Sequence, residues 1–334
     1  MDDLRSPLAQ TDWGVIDTPA LTDDEAHRLV FDVMNDAQRR TFQEKLEVDF
    51  AYTLGTEHRF RVNAFFQNRG EGAVFRHIPQ QIPKLADLKL PSVLETFCEA
   101  ERGLVLVTGP TGSGKSTTLA AMVDAINESS PGHILTLEDP IEFVHPSKRS
   151  LVSQREVGTQ THSFSAALKS ALREDPDVIL VGELRDLETI SLALTAAETG
   201  HLVFGTLHTA SAPKTIDRIS DVFTPAQQPQ IRMMLSESLV GVASQTLLKR
   251  QAGGRIAALE VLVGTPAVKN LIREGKTHQI PSIMQVTTGQ GMQTLEAALL
   301  RLVASGEVDP AEALSRLPGS EKLAAFAATE RKVA

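Results

Sequence analysis

The chain has 334 residues, 42% apolar and 22% charged, with 33 Lys and Arg against 42 Asp and Glu for a formal charge of −9. This composition excludes a disordered chain, and at roughly 150 residues per domain the length predicts about two domains. One cysteine, Cys98, excludes an internal disulfide framework and a cysteine zinc site. No apolar run approaches the ~18 residues of a membrane-spanning helix. The acidic start Met1-Asp2-Asp3 does not read as a secretory leader, and the net acidic charge disfavours general nucleic-acid binding.

In chain order, Thr22–Val48 predicts a helix: Thr22 or Asp23 can cap it, and Leu29, Val30, Val33 and Met34 recur at helical spacing. Strand-like runs follow at Val48–Leu54, His58–Gln67 and Ala73–Ile78, separated by Gly55 and by Arg69-Gly70-Glu71-Gly72. Pro79, Pro83 and Pro91 mark a stiff connection and the expected domain boundary. After a helix at Ser92–Glu101, strands and helices alternate. Strands are expected at Leu104–Val107, His133–Leu137, Val178–Val181, Leu202–Leu207 and Ile256–Val263, with helices at Lys115–Asn127, Phe164–Arg173, Leu187–Thr199 and Lys214–Val222. Continuous apolar strands between helices predict an α/β fold with a parallel sheet covered on both faces. From Pro266 onward only helical patterns remain, and the end of the chain reads as weakly ordered.

Gly109-Pro110-Thr111-Gly112-Ser113-Gly114-Lys115-Ser116, followed by Thr117, fits the phosphate-binding loop G-x-x-x-x-G-K-[ST] between a buried strand and a helix. Glycines let successive backbone N–H groups face phosphate oxygens, and the helix N-terminus adds positive potential. Lys115 can reach the β- and γ-phosphates, and the Ser116 hydroxyl can ligate Mg²⁺. Asp177–Glu183 is an apolar strand ending in an acid, placing Glu183 at the carboxyl edge of the sheet to hold Mg²⁺ or to orient and deprotonate water. Glu138, Asp139 and Glu142 follow another strand and are expected on the same edge, handling metal or water. His201 and His208 bracket a strand and so lie at its opposite ends, with His208 on the carboxyl side. Arg61, Arg69, Arg76 and Arg102 are candidate phosphate partners, or plain solvated arginines.

Thr108–Thr118, Thr136–Phe143, Asp175–Asp186 and Glu198–Thr209 resemble, in order, the Walker A, Asp box, Walker B and His box of the type II/IV secretion ATPases. Ala267–Glu274 (Ala-Val-Lys-Asn-Leu-Ile-Arg-Glu) is similar to the signature of the branch that retracts type IV pili. The resemblance implies a PAS-like domain (1–80), a linker (81–91), a RecA-like ATPase core (92–264), a helical segment (265–318) and a weakly ordered tail (319–334). It implies ATP and Mg²⁺, with Arg61 and Arg76 approaching the phosphates, Glu142 and Glu183 sharing water activation and metal binding, and His201 and His208 lining the site. It further implies a homohexamer at the cytoplasmic face of the inner membrane. That hexamer works on the pilus platform protein and meets the membrane only through partners. Such ATPases usually open with an extra helix and strand carrying an Ala-Ser-Asp-Leu-His-Leu-like stretch. None is found here, so the first domain is expected to be short of a strand.

Alternatives are an accessory retraction paralogue, an extension or type II secretion ATPase, and, from another class, a nucleic-acid motor. Secretion relatives usually carry a four-cysteine zinc insertion, which one cysteine cannot supply. Against a nucleic-acid role, Ser244–Lys276 is locally basic but lacks interleaved aromatics for stacking bases. Thr265 and Pro266 suit the start of a short helix in which Val268, Leu271 and Ile272 face the core and Lys269 and Arg273 share another face.

Overall fold

The computed structural model describes residues 19–55, 58–78 and 81–330. The chain divides into two compact units at His77/Ile78. Residues 1–18, on which the expectation of a missing first strand falls, lie outside the described residues, as do Pro79 and 331–334.

In the first unit, α1 (Asp23–Asp32) and α2 (Asp36–Lys45) replace the single helix expected over Thr22–Val48. The cause is a local capping box. The Gln38 backbone N–H donates to Asn35 at 2.9 Å and the Asn35 N–H donates back to the Gln38 side chain at 2.9 Å, which starts a new helix there. The strands β1 (Glu47–Leu54), β2 (His58–Gln67) and β3 (Gly70–Ile78) form one sheet in that order, β1 and β2 antiparallel. Period-two alternation turns Phe50, Val62 and Ala64 onto Val30, Met34 and Phe42 of the helices. Arg61 therefore points to the opposite face. Arg76 does the same, because Ala73 and Phe75 turn towards the helical side, where Phe75 meets Phe60 edge-on.

The second unit begins with a 3-10 turn at Leu85–Leu88 and α3 (Val93–Cys98). Leu85 is buried, with Leu88 and Leu90 beside it in the same apolar cluster. The segment expected as a linker is thus docked on the second unit, because its leucines bury apolar surface there. Seven strands follow: β4 (Gly103–Thr108), β5 (Gly132–Glu138), β6 (Ser150–Glu156), β7 (Val178–Val181), β8 (Leu202–Leu207), β9 (Leu239–Lys249) and β10 (Arg255–Val263). Their order is β10-β9-β4-β8-β7-β5-β6. All neighbours are parallel except β9 and β10.

The helices α4 (Lys115–Ser129), α5 (Phe164–Ala171), α6 (Leu187–Glu198), α7 (Ala212–Asp221) and α8 (Gln228–Ser238) cover the sheet. Successive strand residues alternate between two cores. Leu104, Leu106, Ile179, Val181 and Val203 meet α5 to α8, whereas Val105, Val107, Val178, Leu180 and Phe204 meet α3 and α4. This is the α/β arrangement, with a sheet covered on both faces, that the strand and helix alternation predicts, and the RecA-like core that the resemblance implies. Three elements, β6, α8 and β9, fall outside those expected from sequence.

Only helices follow the sheet among the described residues: α9 (Pro266–Arg273), α10 (Ile280–Val286), α11 (Leu295–Ala304), α12 (Pro310–Arg316) and α13 (Glu321–Glu330). Val268, Leu271 and Ile272 of α9 are buried, as their spacing predicts. Within the tail expected to be weakly ordered, α13 is a formed helix. Leu323 is fully buried with Leu299, Val308 and Ala313, and the Ser320 hydroxyl donates to Glu296 at 2.7 Å while accepting from the Leu323 N–H at 3.2 Å. No helix among the described residues is long and apolar enough to cross a membrane.

Candidate active site

The loop Gly109–Ser116 joins the fully buried β4 to α4 at the carboxyl edge of the sheet. Gly112 (φ 77°) and Gly114 (φ 87°) hold left-handed conformations that keep the backbone curled around the crest, and a Cβ on Gly112 would meet nothing within 4 Å. Gly114 stands at the N-cap of α4 and offers no side-chain acceptor, so the first N–H groups of this 15-residue helix are not capped by a side chain. The Ser113 hydroxyl is buried with no hydrogen-bond partner. Uncapped donors, an open crest and an orphaned hydroxyl fit a polyphosphate chain. The Lys115 ammonium donates to the carbonyls of Gly109 (2.8 Å) and Pro110 (3.1 Å). Burial holds it below the ordinary lysine value, against the pull of the Glu183 and Glu142 charges. The loop lysine and these two acids therefore share one electrostatic neighbourhood.

Two strand ends position Glu183. After β7, the Leu184 N–H donates to the Thr206 carbonyl at 3.0 Å, and the Thr206 hydroxyl donates to the Gly182 carbonyl. The side chain of Leu184 is buried beneath. So pinned, the Glu183 carboxylate meets the His208 Nε2 at 3.2 Å and the Arg185 Nη2 at 2.6 Å. Burial opposes its ionisation, but the Arg185 hydrogen bond and charge, with His208, outweigh this and hold the carboxyl below its ordinary value. Arg185 also feels the charge of Asp139.

The Asp-box acids divide. Glu138 is surrounded by donors of its own fold: the Thr136 hydroxyl at 2.7 Å, the Gln154 amide at 3.1 Å and the Glu142 N–H at 3.4 Å. Burial pushes its pKa up despite those bonds. Its oxygens are thus engaged in shaping the loop, whereas the sequence expectation for it was handling metal or water. Asp139 is exposed and Glu142 half-buried. Glu156 steadies the same loop by accepting from the Ile141 N–H at 3.0 Å.

His201 lies at the end of β8 opposite His208, as the strand reading places it. Its carbonyl accepts from the Gly103 N–H at the start of β4, and its Nδ1 lies 3.0 Å from the Ala196 carbonyl. The six residues of β8 separate it from the phosphate-loop edge, roughly 20 Å at 3.3 Å per residue. Within this chain His201 stands at the amino edge, while His208 pairs with Glu183. Arg61 and Arg76 belong to the first unit and Ser116 and Thr117 to the first turn of α4.

Sequence reasoning assigned no role to Arg185, Gln154, Glu156 or Gln245. Arg185 alone had a signal, being next but one to Glu183 in Gly-Glu-Leu-Arg-Asp. Among the described residues, no group of three or more His, Cys, Asp or Glu is placed to hold a metal unaided.

A glycine-rich loop feeding a helix, with a carboxylate on the neighbouring strand end of a parallel sheet, defines a RecA-like P-loop nucleotide hydrolase. Residues 17–253 match the family model described as "Type II/IV secretion system protein", and the chain belongs to that family. It is 59% identical over 302 residues to the type IV pilus retraction ATPase PilT of Pseudomonas aeruginosa, covering 90% of this chain and 88% of the relative. The type IV pilus ATPase PilU of the same organism is 43% identical, covering 92% and 81%. A crystal structure of the pilus retraction motor PilT with bound ADP superposes with a TM-score of 0.83 at 48% identity, covering 90% of this chain and 85% of that one.

Proposed function

We propose that this chain is an ATP-hydrolysing motor that powers type IV pilus retraction, assembled as a homohexamer at the cytoplasmic face of the inner membrane and working on the pilus platform protein. The observation that carries the reading is Glu183 placed between His208 and Arg185 beside the phosphate loop. Higher identity to PilT than to PilU, 59% against 43%, supports retraction over the accessory role.

The phosphate loop and Lys115 bind and orient the triphosphate. Mg²⁺, when bound, neutralises charge developing on the β- and γ-phosphate oxygens, and Ser116 and Glu183 are the residues suited to hold it. Glu183, kept ionised by Arg185, accepts the proton of the attacking water, and Glu142 adds a second carboxylate facing Lys115. His208 orients Glu183 from the adjacent strand end. Arg61 and Arg76 supply guanidinium charge to a neighbouring subunit's nucleotide.

Phosphate release by the purified chain tests the reading. Lys115→Ala should abolish hydrolysis with the fold intact, and Glu183→Gln should retain nucleotide binding while losing about 10²–10⁴-fold in turnover. Parental rates in both variants would show that the site is elsewhere.

A further inference from the structure

Gln245 lies in the middle of β9, a strand whose sequence carries no motif, and its side chain is almost fully buried. Its amide does two things at once. The Nε2 donates to the Ser113 carbonyl at 2.7 Å, and the Oε1 accepts from the Thr118 hydroxyl at 2.8 Å. One bond holds the floor of the phosphate loop and the other holds the first turn of α4, which are the two halves of a phosphate cradle.

The backbone makes the same approach. A Cβ on Gly109 (φ 140°) would fall 2.2 Å from the Gln245 carbonyl oxygen and 2.7 Å from the Ser113 hydroxyl, so the loop leaves β4 against β9 with no room for a side chain. The register that brings Gln245 there is fixed one residue earlier, where Ser244 pairs with Thr108 across the strands and their hydroxyls lie 2.7 Å apart, both buried. A buried amide between two buried partners has no water to fall back on, so its removal leaves the Ser113 carbonyl and the Thr118 hydroxyl each short of a bond.

Resting on the ATP-hydrolase reading above, we propose that Gln245 is a positioning residue for nucleotide binding. It touches no nucleotide itself. It sets the spacing between the Ser113 carbonyl and the start of α4, so that the loop N–H groups and the Ser113 hydroxyl, itself unpartnered, converge on the phosphates. A side chain that merely filled the core would support the fold equally well as an apolar residue of similar size, whereas a positioning amide would not.

The test is steady-state phosphate release with a titration of ATP, together with binding of a fluorescent ADP analogue, on the full chain carrying Gln245→Met, Thr118→Val or Thr118→Ser. Gln245→Met keeps volume and removes both bonds, and Thr118→Val removes one bond without disturbing β9. Both should raise KM for ATP and Kd for the analogue at least about tenfold, with kcat falling less than about threefold. Thr118→Ser restores the hydroxyl and should recover most of that affinity. If Gln245→Met folds poorly, Thr118→Val and Thr118→Ser carry the comparison. KM within twofold of the parental value in Thr118→Val overturns the proposal, as does an equal loss in Thr118→Ser and Thr118→Val. Failure of the parental chain to hydrolyse ATP would instead sink the underlying reading.

Discussion

Glu183 and His208 sit 3.2 Å apart although they follow different strands, β7 and β8. The parallel pairing of those strands sets the separation, since Val181 and Gly205 are register partners and each residue lies just beyond its strand's carboxyl end. A sheet edge thus builds a pair that no local sequence motif contains. The Arg185 guanidinium closes on the other carboxylate oxygen at 2.6 Å.

That second contact sets a pH dependence. With Arg185 present the Glu183 carboxyl titrates below its ordinary value, so the ionised base persists on the acid side. In Arg185→Gln its lowering hydrogen bond and charge are lost while burial, which raises the carboxyl pKa, stays. The acid limb of kcat should then move upward, so the variant loses more activity relative to the parent at about pH 5 than at about pH 8. A pH–rate profile checks this. Parallel profiles would separate Arg185 from the base.

His145 supplies a test on stability. It is buried in the loop after the Asp box, its Nδ1 has no partner, and burial pushes it down to about 4, with Lys148 adding to that and Asp124 opposing. The folded value lies below the unfolded one of ~6.5. The contribution is therefore fully present above about pH 6.5 and is lost as pH falls through the folded value near 4. The parent should lose on the order of 3 kcal/mol more than His145→Leu across that window, read from denaturant midpoints at each pH. Equal losses would mean that His145 is protonated in the fold.

Helix α9 carries a prediction about transmission. Its buried stripe follows the sequence pattern, but its two cations differ. Lys269 donates to the Glu237 carbonyl in the last turn of α8 at 3.0 Å, whereas Arg273 is exposed. The shared basic face expected from their spacing is thus presented chiefly by Arg273. Replacing both with Gln should leave ATP hydrolysis near parental while pilus retraction fails in cells. Normal twitching at parental expression would remove α9 from the transmission path.

How much of this was legible in the sequence follows from the range of each contact. The phosphate loop and the Glu183 strand are contiguous stretches whose residue types answer to phosphate chemistry, so they could be read directly. The α1/α2 break was also written locally, in Asn35 and Gln38, but the apolar spacing of Val30, Val33 and Met34 masked it. Gln245 could not be read, because its partners Ser113 and Thr118 are brought to it only when β9 inserts beside β4. That strand, broken by Gly241 and carrying polar Ser244 and Gln245, lacks a continuous apolar run. His201 was legible as to place: seven residues before His208, it lies at the opposite end of β8, as the strand length requires.

The central claim is best tested by the retraction of individual fluorescently labelled pili in cells whose chromosomal copy encodes Glu183→Gln at parental levels. The account predicts pili that extend and remain extended, with retraction events nearly abolished. Retraction at the parental frequency and speed would contradict it.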